Sequence, residues 1–326
     1  MQSKTKNTKT RAQIEVMAAR AFGGTTLAGG DAAVRELKDG WFNAAYSIQL
    51  ADGREVILKI APPKDAEVMQ YEQQIMATEV AAMRLVGQNP AIPVPEIYCY
   101  DQAHDLCDSD YFFMEKIAGD NLEHVKACLP AETLESLDRQ IGQIIRQING
   151  FTGPYFGYDG NPKLRAATWK AAFITIMEAT LEDGARKGAV YGYGYDEIRA
   201  AYLSRVSALE EVATPCLVHW DAWDPNLFVK DGKIAGIIDF ERALWADPLM
   251  EAQFRALSFG DDVSHGLRGY GKPSFTAAET QRCWLYALHL GLVMNTECSY
   301  RNYETDMMYN LSVQWLTAAM EWLKAN

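Results

Sequence analysis

The sequence predicts an α+β protein of two lobes: a small, strand-rich N-terminal lobe over residues 1–118 and a larger helical C-terminal lobe over 119–326. Three observations predict it. Short segments with apolar residues on alternate positions crowd the first third of the chain. Long segments with apolar residues at helical spacing fill the rest, broken by one compact strand pair. The 326 residues, 48% hydrophobic and 23% charged, are enough to bury a large core in about two units. A cleft between such lobes is a preferred ligand site.

Residues 1–11 are polar, with Lys4, Lys6 and Lys9, and read as a frayed, solvated tail. A first helix is expected over 10–22, and strands over 33–38 and 43–50. Ala51-Asp52-Gly53-Arg54 carries an Asp-Gly turn signal, so 43–50 and 55–61 form a hairpin. In its second strand Val56, Leu58 and Ile60 face one way, and Ile57, Lys59 and Ala61 the other. Pro62 and Pro63 end it. Residues 66–86 have helical spacing through Met76, Val80 and Met83. Strands follow at 95–100 and 111–116. Beyond Gly119, helices are expected at 130–149, 163–183, 196–212, 247–258, 276–295 and 302–325. Between them, 216–239 is rich in apolar and turn residues, and 228–234 reads as a tight hairpin. There is no internal repeat.

Composition narrows the partners. The net charge of −12 argues against nucleic acid or an anionic membrane surface. No stretch approaches 18 uninterrupted apolar residues, so no membrane span is expected. The six cysteines form no C-x-x-C pair, which fits reduced thiols and a cytoplasmic protein. Oligomeric state is not readable.

The densest chemical signal is His219-Trp220-Asp221-Ala222-Trp223-Asp224-Pro225-Asn226, followed by the hairpin and by Ile237-Ile238-Asp239-Phe240-Glu241. A carboxylate on a rigid loop can accept the proton of a hydroxyl as that hydroxyl attacks phosphorus. An Asn five residues on and an Asp ending the returning strand can both aim oxygens at Mg²⁺. Magnesium takes few protein oxygens and completes its shell with phosphate and water. These are the parts of a phosphoryl-transfer site. The competing structural reading is a buried His bonded to a turn, with Asp221 and Asp224 capping loops.

These residues, with Gly236 and with Ala246-Asp247-Pro248, resemble the aminoglycoside phosphotransferase family. Its relatives include choline, fructosamine and homoserine kinases, all on a branch of the protein-kinase-like bilobal fold. The resemblance spans most of the chain and is sharpest over 217–248. It implies an ATP- and Mg²⁺-dependent transfer of a γ-phosphoryl group to a small-molecule hydroxyl, with GTP an open alternative. It makes Asp221 the catalytic base, Asn226 and Asp239 the metal ligands, and His219 a brace bonded to backbone near Asp239. Asp247 then caps the next helix rather than touching substrate.

In the first lobe the resemblance makes Lys59 the phosphate-binding lysine and Glu79 its helix partner. Glu72, seven residues earlier, is the alternative partner. It places the phosphate loop at 38–45 around its single glycine, Gly40, where an ordinary hairpin is the other reading. It also implies that backbone groups of Glu115 and Ile117 bind the adenine edge; a plain buried strand competes there. Glu241 stands where protein kinases have the Gly of Asp-Phe-Gly, and no Ala-Pro-Glu follows, so an activation loop is not expected.

The acceptor stays open among an aminoglycoside-type antibiotic, an amino alcohol and a sugar-like molecule. Glu178, Glu182, Asp183, Glu297, Glu304 and Asp306 could favour a polycation, but a solvated helix face explains them equally. Trp220 and Trp223 flank the base and either meet the acceptor or pack the loop. Two other function classes compete with the enzyme. One is a catalytically silent nucleotide-binding or interaction module on the same fold. The other is a metal hydrolase built on His219, Asp221 and Asp224, which lacks the denser ligand set zinc takes.

Overall fold

Alternation along the strand that carries Lys59 sets the layering of the N-terminal part. The computed structural model describes residues 6–38, 42–256, 258, 260, 262–301, 303 and 305–326. Helix α1 (Arg11–Ala21) is followed by β1 (Val34–Leu37), β2 (Ala44–Gln49), β3 (Glu55–Ile60), α2 (Ile75–Val86), β4 (Ile97–Asp101) and β5 (Tyr111–Glu115). The strands form one antiparallel sheet in the order β1-β2-β3-β5-β4. Tyr46, Ile48, Val56, Leu58, Ile60 and Phe113 meet Ile14, Met17 and Ala18 of α1, whose spacing puts them on one helix face. Phe112 and Met114 meet Met76, Val80 and Met83 of α2 on the other side. Period two puts Lys59 on that α2 side.

Of the expected solvated tail, residues 1–5 lie outside the described residues, and Asn7 and Lys9 are docked. Asn7 donates to Asp108 at 2.9 Å and to Ser109 at 2.8 Å, and the Lys9 amide donates to the Tyr46 hydroxyl at 2.8 Å. The Lys9 ammonium lies 2.8 Å from Asp108. A polar sequence whose partners lie 37 to 102 positions away gives no local sign of this. Hydrogen bonds from Asn7 and then Lys9 hold the Asp108 carboxyl down at about 2. A depressed carboxyl contributes stability above its unfolded pKa, and that contribution is lost as pH falls through the folded value. The protection factor of the Lys9 amide in hydrogen exchange is therefore expected to fall between about pH 4 and 2, and constancy over that window would contradict the strap.

The expected helix over 66–86 is two pieces. Gln74 sits in the left-handed region at φ 52°, so α2 starts at Ile75 and Gln70–Glu72 is a separate 3-10 turn. This connector leaves the sheet and reaches the C-terminal part, where the Gln70 amide donates to Asp183 at 2.7 Å and Glu72 pairs with Arg301.

The rest of the chain runs β6 (Asp120–Asn121), α3 (Leu122–Val125), α4 (Ala131–Ile148), β7 (Phe156–Gly157), β8 (Arg165–Ala166), α5 (Trp169–Lys187), α6 (Tyr195–Leu203), β9 (Cys216–Val218), β10 (Leu227–Lys230), β11 (Lys233–Ile237), β12 (Leu244–Ala246), α7 (Ala252–Ala256), α8 (Ser264–Tyr270), α9 (Ala277–Arg301) and α10 (Met307–Ala325). Two small sheets, β11-β10-β6 and β8-β7-β12-β9, hold the segment 216–246. The core is built on α5 and α9, where the Trp169 indole donates to the Tyr286 hydroxyl at 2.7 Å. All six cysteines are free thiols. No helix among the described residues is long and apolar enough to cross a membrane.

Helix α8 was not among the expected helices, and its two glycines, Gly266 and Gly269, weaken a helix by propensity alone. They serve a close helix contact. A Cβ on Gly142 of α4 would lie 2.0 Å from the Gly266 carbonyl oxygen, and one on Gly269 would lie 2.1 Å from that of Arg139. Gly142→Ala is expected to lower unfolding free energy by about 1–3 kcal/mol through overpacking. A thermal melt unchanged from the parent would refute it.

Candidate active site

The loop 219–226 and the turn at 238–242 are tied together by one imidazole. The Asp221 amide donates to His219 Nδ1 at 3.2 Å, which leaves Nε2 protonated and donating to the Ile238 carbonyl at 3.0 Å. Burial lowers His219 to about 4, so it works as a neutral ring. Two residues near it are strained: Trp220 and Asp239 both adopt φ 71°, a region non-glycine residues seldom enter.

What holds the loop in that form lies far off in sequence. Glu251, fully buried, accepts from the amides of His219 at 2.9 Å and Trp220 at 3.0 Å. Asn149 donates to the same carboxyl at 2.9 Å and to the Leu217 carbonyl at 2.8 Å. Burial pushes Glu251 up to about 7, against the pull of these hydrogen bonds. Arg255 donates to the Trp220 carbonyl at 2.6 Å and lies over its ring at 4.3 Å.

Across the cleft, Lys59 Nζ donates to both Glu79 oxygens at 2.9 and 2.8 Å and to Asp239 Oδ1 at 2.6 Å. Glu241 lies 3.5 Å from the same nitrogen. Burial works against the charge on Lys59, but Asp239, Glu79 and Glu241 together raise it well above its ordinary value, so it stays an ammonium. Burial raises Asp239 too, yet Lys59 outweighs this and keeps the carboxyl below its usual range. Burial pushes Glu241 up to about 8, with Asp239 adding to it. The three carboxylates offer oxygens within 4.8 Å of one another. Asn43 donates to Glu241 at 2.8 Å from the segment just before β2.

The sequence-predicted residues fall into three groups. Lys59, Glu79 and Asp239 touch directly, and His219 links Asp221 to the strand end before Asp239. Asn226 joins them through its Nδ2, which donates to the Asp221 carbonyl at 2.9 Å. Glu72, the alternative partner for Lys59, pairs with Arg301 instead, because the break at Gln74 takes it off α2. Glu115 ends β5, with its amide bonded to the Glu96 carbonyl at 2.9 Å. Ile117 follows the strand; a Cβ on Gly236 would lie 2.2 Å from its Cδ1. Gly40 lies outside the described residues. Asp247 caps the Leu249 amide at 3.1 Å and is gripped by Arg282 at 2.8 Å and Tyr286 at 2.7 Å.

The sequence reading missed Glu251, Arg255, Arg242, Asn149 and Asn43. It also left two tryptophans undecided. Trp220 is 2% exposed between Arg255 and Arg242, so it packs the loop; Trp223 is 52% exposed beside Asp221.

A family model described as "Phosphotransferase enzyme family" matches residues 33–270, which include Lys59, Glu79, the segment 219–242 and Glu251. The chain belongs to the phosphotransferase enzyme family. Among curated proteins, a subtelomeric hrmA-associated cluster protein of Aspergillus fumigatus is 27% identical over 125 residues, covering 38% of this chain and 24% of that protein. The matched stretch is thus about a quarter of the relative's length.

Solved structures share the fold of this phosphotransferase-family chain more broadly. A putative fructosamine-3-kinase from Thermobifida fusca superposes with a TM-score of 0.67 at 18% identity, covering 94% of this chain and 98% of the other. Aminoglycoside phosphotransferase APH(4)-Ia gives 0.64 at 16% identity, covering 97% and 98%. The streptomycin–ATP ternary complex of APH(2")-IIa gives 0.63 at 15% identity, covering 96% and 99%.

Proposed function

We propose that this chain is a kinase of a small-molecule hydroxyl, using Asp221 as base and ATP as donor. The observation that carries the reading is the His219 bridge, which joins the Asp221 amide to the Ile238 carbonyl and so sets base and Asp239 on one frame. Lys59, fixed on Glu79, reaches the same frame from β3. Family membership and the ATP bound in a structural neighbour support the donor. The Glu115 amide is spent on the Glu96 carbonyl, so its own carbonyl is what it offers the adenine edge, with the backbone of Ile117 beside it.

The donor set suits magnesium. Asp239 supplies a carboxylate, and because Asn226 spends its Nδ2 on the Asp221 carbonyl, Oδ1 is the atom it turns to a cation. When bound, the cation neutralises phosphate charge as the bond to the leaving oxygen breaks. Lys59 holds the donor phosphates. The acceptor oxygen attacks the γ-phosphorus, the bond between that phosphorus and the β,γ-bridging oxygen breaks to release ADP, and the hydroxyl proton passes to Asp221. Burial raises the Asp221 carboxyl while Arg242 opposes it, leaving a base stronger than an exposed aspartate.

The acceptor is a small hydroxylated molecule. The acidic residues that could favour a polycation are largely committed: Glu178 to Arg199, Asp183 to Arg186 and Gln70, and Glu297 to Arg242. Glu304 lies outside the described residues. The test is ADP formation from Mg²⁺–ATP across a panel of aminoglycosides, amino alcohols and sugars. ADP that depends on one acceptor class is expected. Tight nucleotide binding without acceptor-dependent ADP, over the whole panel, would favour the silent module.

A further inference from the structure

Asp221 has a cationic neighbour that the motif does not announce. Arg242 closes the 3-10 turn after Asp239, and its Nε lies 3.9 Å from Asp221 Oδ2, within ion-pair range but too long for a hydrogen bond. Its other end is anchored. Nη2 donates to Glu297 of α9 at 2.7 Å, and the Tyr71 hydroxyl donates to that same Glu297 oxygen at 2.6 Å. The guanidinium lies 5.0 Å from the Trp220 ring and 5.8 Å from the Tyr71 ring. A planar group held by an ion pair and by rings has little freedom to swing.

We propose that Arg242 is the positioning residue of the base, holding the Asp221 carboxylate by Oδ2 so that Oδ1 is presented to the acceptor hydroxyl. Glu297 holds Arg242, and Tyr71 holds Glu297. The orientation of the base is thereby set jointly by α9 and by the connector between β3 and α2. This rests on the reading of Asp221 as the base. Two features separate it from plain packing. Arg255 already covers Trp220 at 4.3 Å and bonds its carbonyl, so Trp220 does not need a second cation to stay in place. And Arg242 reaches Asp221 with the nitrogen that is not spent on Glu297.

The test uses the full chain with Mg²⁺–ATP and two acceptors that need no prior identification, water and concentrated glycerol, reading ADP release. Arg242→Met is expected to lower the rate about 10- to 100-fold, the scale of a misplaced reacting group. Affinity for Mg²⁺–AMP-PNP by calorimetry should stay within about twofold, because Arg242 is not among the groups that touch Lys59. Arg242→Lys keeps the charge without the planar fork and should recover part of the loss. A rate within twofold of the parent for Arg242→Met, or equal losses for Met and Lys, would overturn the proposal. Asp221→Asn in parallel separates the two claims: an unchanged rate there removes the base itself, whatever Arg242 does. If the parent releases ADP too slowly to read, the crystal structure of the Met variant decides. Asp221 turned or split between rotamers supports positioning, and an unmoved carboxylate overturns it.

Discussion

Asp221→Asn is expected to slow phosphoryl transfer by about 10²- to 10⁴-fold, the range a positioned general base supplies. Nucleotide binding should change little. Asparagine keeps the size of aspartate, and the backbone groups that fix the loop are untouched: the residue's amide on His219 and its carbonyl under Asn226. The side chain loses the ability to take a proton and its charge toward Arg242. The loss should therefore fall on kcat, with the Kd for Mg²⁺–AMP-PNP within a few-fold of the parent. The acceptor panel gives the first quantity and calorimetry the second. Full turnover in the variant would remove Asp221 from the mechanism.

Glu251→Ala should be the most damaging single change to folding. It strips the acceptor from two buried amides, those of His219 and Trp220, and from one arm of Asn149. Each buried donor left unpaired costs about 1–3 kcal/mol, so a loss of at least about 3 kcal/mol is expected. The strained Trp220 depends on the same carboxyl, so the loop should relax and activity should fall even where the variant remains folded. Glu251→Gln retains one accepting oxygen but turns an NH₂ group toward the other donors, and should lie in between. Urea unfolding of the three proteins checks this. An alanine variant within about 1 kcal/mol of the parent would mean that the loop holds its shape by other means.

Both predictions show where the sequence was readable. The residues from His219 to Asp239 are close in the chain and joined by a short hairpin, so their spacing carries their geometry. Lys59 was legible because a charge on an apolar, alternating strand asks for a partner. Glu251, Asn149, Arg242 and Glu297 were not. Glu251 reaches His219 over 32 positions and Asn149 over 102, and Glu297 reaches Tyr71 over 226; nothing local marks such pairs. The break at Gln74 was missed for another reason. The segment has helical apolar spacing on both sides, and a left-handed glutamine leaves no mark in composition. That break decides between Glu72 and Glu79 as partner of Lys59. Helix α8 was hidden because its glycines lower helix propensity, and nothing local shows that a second helix backbone lies against them.

Helix α9 works as a ruler. Near its start, Arg282 and Tyr286 hold Asp247, beyond the end of β12; near its finish, Glu297 and Arg301 hold Arg242, Tyr71 and Glu72. From Arg282 to Arg301 the rod measures about 28 Å. A straight helix keeps both distance and phase between its grips, and the residues between them are buried in the core. They cannot change in number. One inserted residue would lift the far grip by about 1.5 Å and turn it by about 100°. Glu297 would then face away from Arg242 while Arg282 stayed on Asp247. A change in the length of α9 is thus incompatible with this cleft.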